Sequence, residues 1–431
     1  MFYFKYALKS LIQRRRQYVS LFVVCTISVC IIISLLSICD GMLKALNTKA
    51  VQYYGGELQF YCGDTYVFTD ADEKIKLLQQ YFDENNIEVS FYKRFDGDAS
   101  NCQLYFEGEN SFARILKGID FSEEKELLKT FTFSEEKLNN SYQNKILISD
   151  PIAQKLRVHA GDSITLLLKT LDGYTNTMDL YVSGIYKDSS LFGMYTVYLD
   201  IDCLRKISCY DKYSIPYINR IGINVKNKSL SNKDIKRLQL YLSENCNMAP
   251  LPNSKEEFFY FAVAHKETPV YALITLDANR PEVVMMSNAL RLIVYLIIIP
   301  LVLIVAIGIS CSYRVVILKR IVETSTFRAL GLKARGVEKL FFTEVLMILL
   351  VGFIVGTVLS FAVTAIIGHF NFSFIPAFDL FLIGGRIKAD YSFWKIIFVL
   401  FIIAFSTLTG VFVTLRNIIR LSPAKAFATT V

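Results

Sequence analysis

The residues that could do chemistry are thinly spread along this chain of 431 residues. Its three histidines, His159, His265 and His369, lie in separate segments, and no two cysteines form a CxxC pair. No HExxH, GxSxG or GxxxxGK[ST] motif occurs, so the sequence offers no zinc-hydrolase centre, no serine nucleophile elbow and no phosphate-binding P-loop. We therefore predict that the chain is not an enzyme and that it has no catalytic, metal-binding or cofactor-binding residues.

One segment, from Arg314 to Gly331, has residue types that suggest binding rather than catalysis. Its composition is helical, charged and apolar side chains are interleaved, and Gly331 can end the helix as a C′ residue. The residues we single out are Arg320, Ile321, Glu323, Phe327, Arg328, Leu330 and Gly331. Such a helix either lies on a surface or docks on a soluble partner, with apolar anchors in a groove and charges at the rim. The residues by themselves leave both interpretations open.

The elements that would position this segment are strongly apolar. Hydrophobic residues make up 53% of the chain and charged residues only 20%, and the apolar excess is gathered into blocks. A bilayer core of about 30 Å requires about 20 apolar helical residues. Four blocks meet this length, and we place transmembrane helices at 17–40, 289–312, 341–368 and 393–415.

Polar residues are rare within these four helices. Apart from Asp40 at the last position of the first span, Glu344 is the one acid inside a span, and near the start of its helix it is expected to face the interface or to favour the helix dipole. Gly352 and Gly356 follow in the same span, and small residues permit close approach of helices. We predict that these three residues serve the packing of the third span.

The orientation follows from the basic residues beside the spans. The segments before span one, between spans two and three, and after span four carry fifteen Lys and Arg residues against two acids, Glu323 and Glu338. This pattern places both termini in the cytoplasm, with 41–288 and the loop 369–392 outside. The positive charge is therefore a membrane-orientation signature and not a nucleic-acid footprint.

The large outer region has mixed α and β patterns. Residues 55–117 together with 216–250 are predicted to form an α/β subdomain, and 118–215 a β-rich subdomain. Helical stretches at both flanks would extend spans one and two outward as stalk helices. Cys203 and Cys209 could form a disulfide, although the cysteines as a set do not indicate a disulfide framework. The predicted fold class is an α-helical membrane protein with four transmembrane helices, one and then three, and a mixed α/β extracytoplasmic domain inserted between helices 1 and 2.

Several of these motifs resemble the permease subunits of the MacB/FtsX/LolC-LolE class of ABC transporters. Arg320, Glu323 and Arg328-Ala-Leu-Gly331 stand at the spacing R-x-x-E-x-x-x-x-R-A-L-G of that family, although Ser325-Thr326 departs from the glycine often found there. The acid and glycines of span three are similar, and so is the close Ser422-Pro-Ala-Lys-Ala426. In the outer region, the similar segments are Ile115–Asp120, Ile146–Asp150, Gly161-Asp162 and Val182–Ile185.

The resemblance implies a set of partners. The region 313–340 would contain a coupling helix seated on a dimer of cytoplasmic ABC ATPases, which would hold the ATP and Mg that this chain does not bind. Residues 1–16 would form an interfacial helix and 416–431 a cytoplasmic tail. A second permease subunit, identical or a paralogue, would lie beside it in the bacterial cytoplasmic (inner) membrane.

The resemblance also implies what the transporter does, and here alternatives remain. The length, the four spans and the lack of a fused ATPase favour the lipoprotein-releasing type, closest in layout to LolC/LolE, with a lipoprotein substrate and an extracytoplasmic acceptor. In this mechanotransmission scheme, ATP-driven closure moves the outer domain. The alternatives are MacB-like efflux of peptides or small molecules, or a non-transporting FtsX-like or receptor and scaffold role.

Overall fold

A computed structural model describes most of the chain. The described residues are 2–13, 15–62, 68, 70–137, 143–170, 173–190, 192–209, 218–227, 230–265, 270–320, 323, 326–327 and 331–419. Within them, the chain divides into two compact units. The first contains 1–42, 288–370 and 387–431, and the second contains 43–287 and 371–386.

The helices account for all of the predicted apolar blocks. In chain order they are α1 (Phe2–Gln13), α2 (Arg15–Tyr54), α3 (Ala71–Glu84), α4 (Lys125–Leu128), α5 (Asp150–Leu156), α6 (Ile201–Ile207), α7 (Asn232–Asn245), α8 (Lys255–Ala264), α9 (Leu276–Asn279), α10 (Pro281–Lys319), α11 (Ala334–His369), α12 (Pro376–Asp379) and α13 (Phe393–Ile419). Four of them, α2, α10, α11 and α13, are long and apolar enough to cross a membrane. A helix suits that medium because it satisfies its own backbone groups where water is absent.

Helix α2 is longer than a span requires. It contains the predicted span 17–40 and continues without a break to Tyr54. Helix α10 likewise begins at Pro281, ahead of the predicted start at 289. The two flanking stretches that were predicted to extend spans one and two are therefore helical.

The core of the first unit consists of apolar side chains from all four long helices. Val29 and Ile32 of α2 pack in one buried cluster with Ile309 of α10, Val345 of α11 and Val411 of α13. Outside this cluster, α10 exposes large side chains such as Leu296 and Ile304. Such a surface suits lipid, where exposed apolar groups carry no penalty.

The second unit is built on one ten-stranded sheet. Its strands are β1 (Leu58–Cys62), β2 (Val89–Phe106), β3 (Glu109–Ile119), β4 (Phe133–Glu136), β5 (Lys145–Ser149), β6 (Ser163–Lys169), β7 (Thr175–Tyr186), β8 (Thr196–Asp200), β9 (Arg220–Val225) and β10 (Tyr271–Thr275). The strand order along the main path is β10-β1-β9-β2-β3-β8-β5-β7-β4. Strand β6 lies off this path and pairs with both β2 and β7.

That pairing closes part of the sheet into a barrel. The ring runs β2-β3-β8-β5-β7-β6 and returns to β2, because Cys102–Tyr105 of β2 pairs with Thr165–Leu168 of β6. The interior is filled by buried aliphatic side chains, among them Leu104, Leu166 and Val182. A closed barrel leaves no unpaired edge within the ring, which removes a route to aggregation.

Strand β2 belongs to both parts of the sheet. Its first half, Val89–Arg94, pairs with β9. Its second half pairs with β3 and β6, and the pairing with β3 has a register shift between Asp98 and Cys102. The strands β10, β1, β9 and the first half of β2 form an antiparallel sheet against which α3 and α7 bury Leu78, Phe82 and Leu242.

The subdomain boundaries therefore differ from the prediction. Strand β3 and the end of β2 were predicted in the α/β subdomain 55–117, but the structure places them in the barrel. Strand β10 joins the α/β sheet although it lies beyond residue 250. The physical reason is that alternation of apolar residues identifies a strand but carries no information about its partner.

Cys203 and Cys209, whose pairing was left open, are both free thiols.

Candidate functional site

A buried ion pair joins three of the long helices at Arg320, the first of the predicted coupling residues. We call the stretch 320–331 that contains those residues the coupling segment. The Arg320 guanidinium donates from Nη1 to Glu344 Oε2 at 2.6 Å, and the side chains are 1% and 0% exposed. Tyr18 of α2 donates its hydroxyl to the same oxygen at 2.9 Å, and Tyr313 of α10 approaches it at 3.5 Å. We call Tyr18, Tyr313, Arg320 and Glu344 the Glu344 network.

The geometry of this network compensates for burying two charges. Moving an ion from water into the interior of a protein costs roughly several kcal/mol of free energy. Only close pairing with an opposite charge, together with further hydrogen bonds, offsets that cost. Arg320 also lies over the Phe341 ring, 5.0 Å from its centre, a cation–π arrangement. Glu344 Oε1 has no hydrogen-bond partner among the described residues, so Oε2 carries the compensation.

The network extends directly into the predicted coupling segment. Arg320 Nε donates to Glu323 Oε2 at 3.1 Å, and the Glu323 side chain is 32% exposed. Further along, the Phe327 ring meets the Tyr6 ring of α1 edge-on, with centroids 5.7 Å apart. Gly331 has φ +92°, the left-handed conformation expected of a residue that ends a helix. The predicted residues Ile321, Arg328 and Leu330 lie outside the described residues.

Two of the predicted roles change in this structure. Arg320 was predicted as a charge on a docking helix, but its guanidinium is buried against Glu344. Glu344 was expected to face the interface or the helix dipole, and it instead pairs with Arg320. The signal that could have indicated a pair is that an acid inside an apolar span needs a partner, and two cations, Lys319 and Arg320, follow the preceding span.

The glycines of α11 face α2. A Cβ at Gly352 would lie 3.0 Å from Cys25 Sγ, and one at Gly356 would lie 2.7 Å from the carbonyl oxygen of Thr26 and 2.8 Å from Cβ of Val29. Such distances are shorter than ordinary van der Waals contact. The two helices can approach this closely only because these positions carry no side chain.

In the second unit, the end of α2 is held by a buried arginine. Gly55, with φ +82°, ends the helix, and Arg94 Nη1 donates to the terminal carbonyls of Tyr53 at 3.0 Å and Gln52 at 3.2 Å. Arg94 in turn forms a 2.5 Å ion pair with Glu124, and both side chains are 1% exposed. The last carbonyls of a helix need such partners when they are buried.

A second cluster of charged side chains lies nearby, and the sequence did not predict that these charges meet. Asp96 accepts from Lys117 Nζ at 2.8 Å and from Arg220 Nη2 at 2.8 Å. The Lys117 ammonium also lies 4.0 Å from the centre of the Tyr53 ring. Lys117, in the segment Ile115–Asp120, thus contributes a buried cation to this Asp96 cluster.

The pKa of Asp96 reflects this environment. Burial would raise the pKa of its carboxyl, but the charges of Arg220 and Lys117 outweigh burial and lower the pKa to about 2. Burial and the neighbouring Arg220 charge hold the pKa of Lys117 well below its usual value. Burial raises the pKa of Glu124 in spite of the Arg94 charge. The cluster is therefore most sensitive to acid through Asp96.

Comparison with known proteins bears on the first unit. Residues 295–423 match the family described as FtsX-like permease C-terminal. The matched range contains Arg320, Glu323, Glu344 and both α11 glycines, and it supports the family of ABC transporter permeases, which are generally not catalytic themselves. No curated protein matches the chain.

The Glu344 network predicts unequal effects of single and double substitutions. Arg320→Met alone leaves the Glu344 carboxylate buried without this cation, which should cost about 3–5 kcal/mol of stability, whereas Glu344→Leu leaves Arg320 paired with Glu323 and should cost less. The double variant removes both charges and should recover much of this loss. The measurement is the thermal midpoint in detergent, read by a thiol-reactive dye that labels buried cysteines, Cys25 among them, as the chain unfolds. Arg314→Met, on an exposed arginine of the same helix, is the control, and single variants that match it would contradict the prediction.

The glycine contact predicts a difference between two otherwise similar substitutions. Gly356→Ala forces its Cβ against α2 and should destabilise the first unit by about 1–3 kcal/mol, the usual range for overpacking. Gly308→Ala is the matched control, since a Cβ on Gly308 of α10 meets no atom within 4 Å. Both variants are compared by the same thermal midpoint, and equal midpoints would mean that α11 does not need this close approach.

The Asp96 cluster predicts an acid-sensitive stability. Between the native pKa of about 2 and the ordinary value of 3.8, the unfolded chain binds more protons, so stability falls as the pH is lowered through this range. The loss attributable to Asp96 is about 2 kcal/mol.

Asp96→Asn should lower the free energy of unfolding at neutral pH. Between pH 5 and pH 2.5, the free energy of unfolding should fall less in this variant than in the wild type. The measurement is the guanidinium midpoint of the far-ultraviolet β-sheet signal at each pH. Asp83→Asn, at an exposed aspartate of α3, should keep the wild-type pH dependence. An unchanged pH dependence in Asp96→Asn would show that Asp96 is not the group responsible.

Proposed function

We propose that this chain is the membrane subunit of an ABC-type transporter, driven by a separate cytoplasmic ATPase dimer and paired with a second permease subunit. The match of residues 295–423 to the FtsX-like permease C-terminal family supports this proposal. ATP and Mg would be held by the ATPase. This chain supplies the docking surface and the moving parts, in the bacterial cytoplasmic membrane with both termini in the cytoplasm.

The observation that carries the proposal is the direct link between the coupling segment and the helix bundle. Glu323, in the coupling segment, contacts Arg320, and Arg320 contacts Glu344 of α11 and Tyr18 of α2. A displacement of the coupling segment by a bound ATPase would act on these helices through a rigid, buried ion pair. Coupling of this kind requires a contiguous contact whose arrangement differs between two states.

The contacts of Phe327 add a second path from the same segment. Its ring packs on Tyr6, so α1 would move with the coupling segment. Helix α1 also packs against α11 in the first unit. We infer that α1 is part of the surface that responds to the ATPase.

We propose lipoprotein release as the transported process, with the outer unit acting on a lipoprotein and passing it to an extracytoplasmic acceptor. The layout of four spans with a large outer domain after the first supports this choice. In this scheme α2, which runs unbroken from Arg15 to Tyr54, passes the movement outward. Efflux of peptides or small molecules would use the same parts.

Affinity purification of the tagged full chain in mild detergent, followed by mass spectrometry, tests the proposal. A stoichiometric ATPase with Walker motifs is expected, and a different four-span permease beside it would favour lipoprotein release. A second copy of this chain alone would favour a homodimeric efflux or regulatory transporter. The absence of any ATPase would overturn the proposal in favour of a receptor or scaffold.

Charge reversal in the coupling segment sharpens this test. Glu323→Lys and Arg328→Glu should each remove the ATPase from the purified complex and leave the second permease in place. Lys339→Glu reverses an exposed charge at the start of α11 and serves as the matched control. The thermal midpoint of each variant shows whether the membrane unit is still folded, and undiminished ATPase in the folded variants would contradict the docking role.

A further inference from the structure

A single buried lysine joins three distant parts of the chain in the second unit. Lys49 of α2 is 6% exposed, and its ammonium contacts Asp188 Oδ1 at 2.9 Å and Asp379 Oδ2 at 3.1 Å. It also donates to the backbone carbonyl of Asp379 at 2.7 Å. Asp188 and Asp379 are 8% and 3% exposed. We call these three residues the Lys49 junction.

The two carboxylates come from separate loops. Asp188 follows β7 in the barrel, and Asp379 ends α12 in the loop between α11 and α13. Each is oriented by a backbone amide of the barrel loop. Ser190 N–H donates to Asp188 Oδ1 at 2.9 Å, and Ser189 N–H donates to Asp379 Oδ2 at 2.8 Å. The junction therefore ties the α11–α13 loop to the barrel as well as to α2.

Apolar packing surrounds the junction. Leu46, Ala50 and Tyr53 of α2 form one buried cluster with Phe192 of the barrel loop and Leu380 beside α12. Lys49, Asp188 and Asp379 are themselves largely buried, so their ion pairs act in a medium where unpaired charge is costly. The barrel loop itself is tight, since a Cβ on Gly193 would lie 2.4 Å from Asp188 Cβ.

The charge balance of the junction makes Lys49 its decisive member. One ammonium serves two buried carboxylates, so its removal leaves two like charges close together with no cation between them. Removal of either aspartate still leaves one ion pair. The effects of substitution should therefore be much larger for Lys49 than for Asp188 or Asp379.

We propose that Lys49 is the positioning residue that makes the α11–α13 loop, the barrel and the outer part of α2 move as one body when the transporter works. A shift of α11 or α13 would then reach the barrel through Asp379 and Lys49, in parallel with the movement carried by α2 itself. The role of Lys49 in transport rests on the proposed function. The attachment of the α11–α13 loop to the barrel and α2 through Lys49, which we call the lock, does not.

Hydrogen exchange with mass spectrometry on the purified full chain tests the lock. In Lys49→Met, the amides of 189–190 and the segment 376–382 should exchange on the order of tenfold faster than in the wild type, since their acceptors lose their fixed positions. Exchange in the barrel strand β6 should not change. Lys44→Met, at an exposed lysine of the same helix, is the control. Equal exchange in the two variants would overturn the lock.

A milder variant guards against general unfolding. Asp379→Asn keeps the pair between Lys49 and Asp188 and should give a smaller increase in exchange, confined to 376–382 and the Ser189 amide. If Lys49→Met also speeds exchange in β6, that variant is generally unfolded, and Asp379→Asn is then the variant that tests the lock. Wild-type exchange in Asp379→Asn would then overturn the lock.

The transport role has its own readout, which requires no substrate. In the purified complex with its ATPase, ATP with vanadate should change exchange in the loops 187–193 and 371–386 together. In Lys49→Met, basal ATP hydrolysis should persist, and the change should remain in only one of the two loops. A joint change in the variant would overturn the positioning role. A wild-type chain that purifies without an ATPase overturns the proposed function and this role with it, while the exchange of the free chain still decides the lock.

Discussion

The burial of Glu344 is the constraint around which the membrane unit is arranged. A carboxylate among apolar helices is stable only beside a cation, and the cation available is Arg320 at the end of the neighbouring helix. This requirement brings the end of α10 against α11 and places Tyr18 of α2 within reach of the same oxygen. The predicted coupling segment begins at this point, so a residue that stabilises the bundle is also continuous with the segment that we propose contacts a soluble partner.

The second unit contains three further sets of ion pairs in which charged side chains are removed from water. Arg94 with Glu124 and Lys49 with Asp188 and Asp379 are buried, and the half-buried Asp96 pairs with the buried Lys117 and Arg220. Each set contains a residue at or next to the part of α2 that belongs to the second unit. Arg94 satisfies the terminal carbonyls, Lys117 lies over the Tyr53 ring, and Lys49 belongs to the helix itself. Ionic contacts of this kind are directional. They fix the rotation and register of a helix more strictly than apolar packing alone, which tolerates sliding.

The helices of the first unit are fixed by directional contacts as well. Apolar surfaces in a bilayer carry little directional preference, because lipid and neighbouring side chains are equally apolar. Close packing at Gly352 and Gly356 sets the distance between α11 and α2, and the Glu344 network sets their register. The closed barrel and the two-part strand β2 provide a stiff body in the second unit, since a closed ring of strands has no free edge to slip.

The sequence by itself determined the elements whose signals are local. Runs of apolar residues identified the four long helices. The orientation indicated by the basic flanks, and the coupling role that the family resemblance implies for Arg320, Glu323 and Gly331, stay predictions. These features depend on neighbours within a few turns of one chain segment. The tertiary structure alone decided which strands close the barrel, that Arg320 turns inward to Glu344, and that Lys49 meets Asp188 and Asp379. Those contacts join residues far apart in the chain, and a lone lysine or glutamate looks the same in sequence whether it faces water or a buried partner.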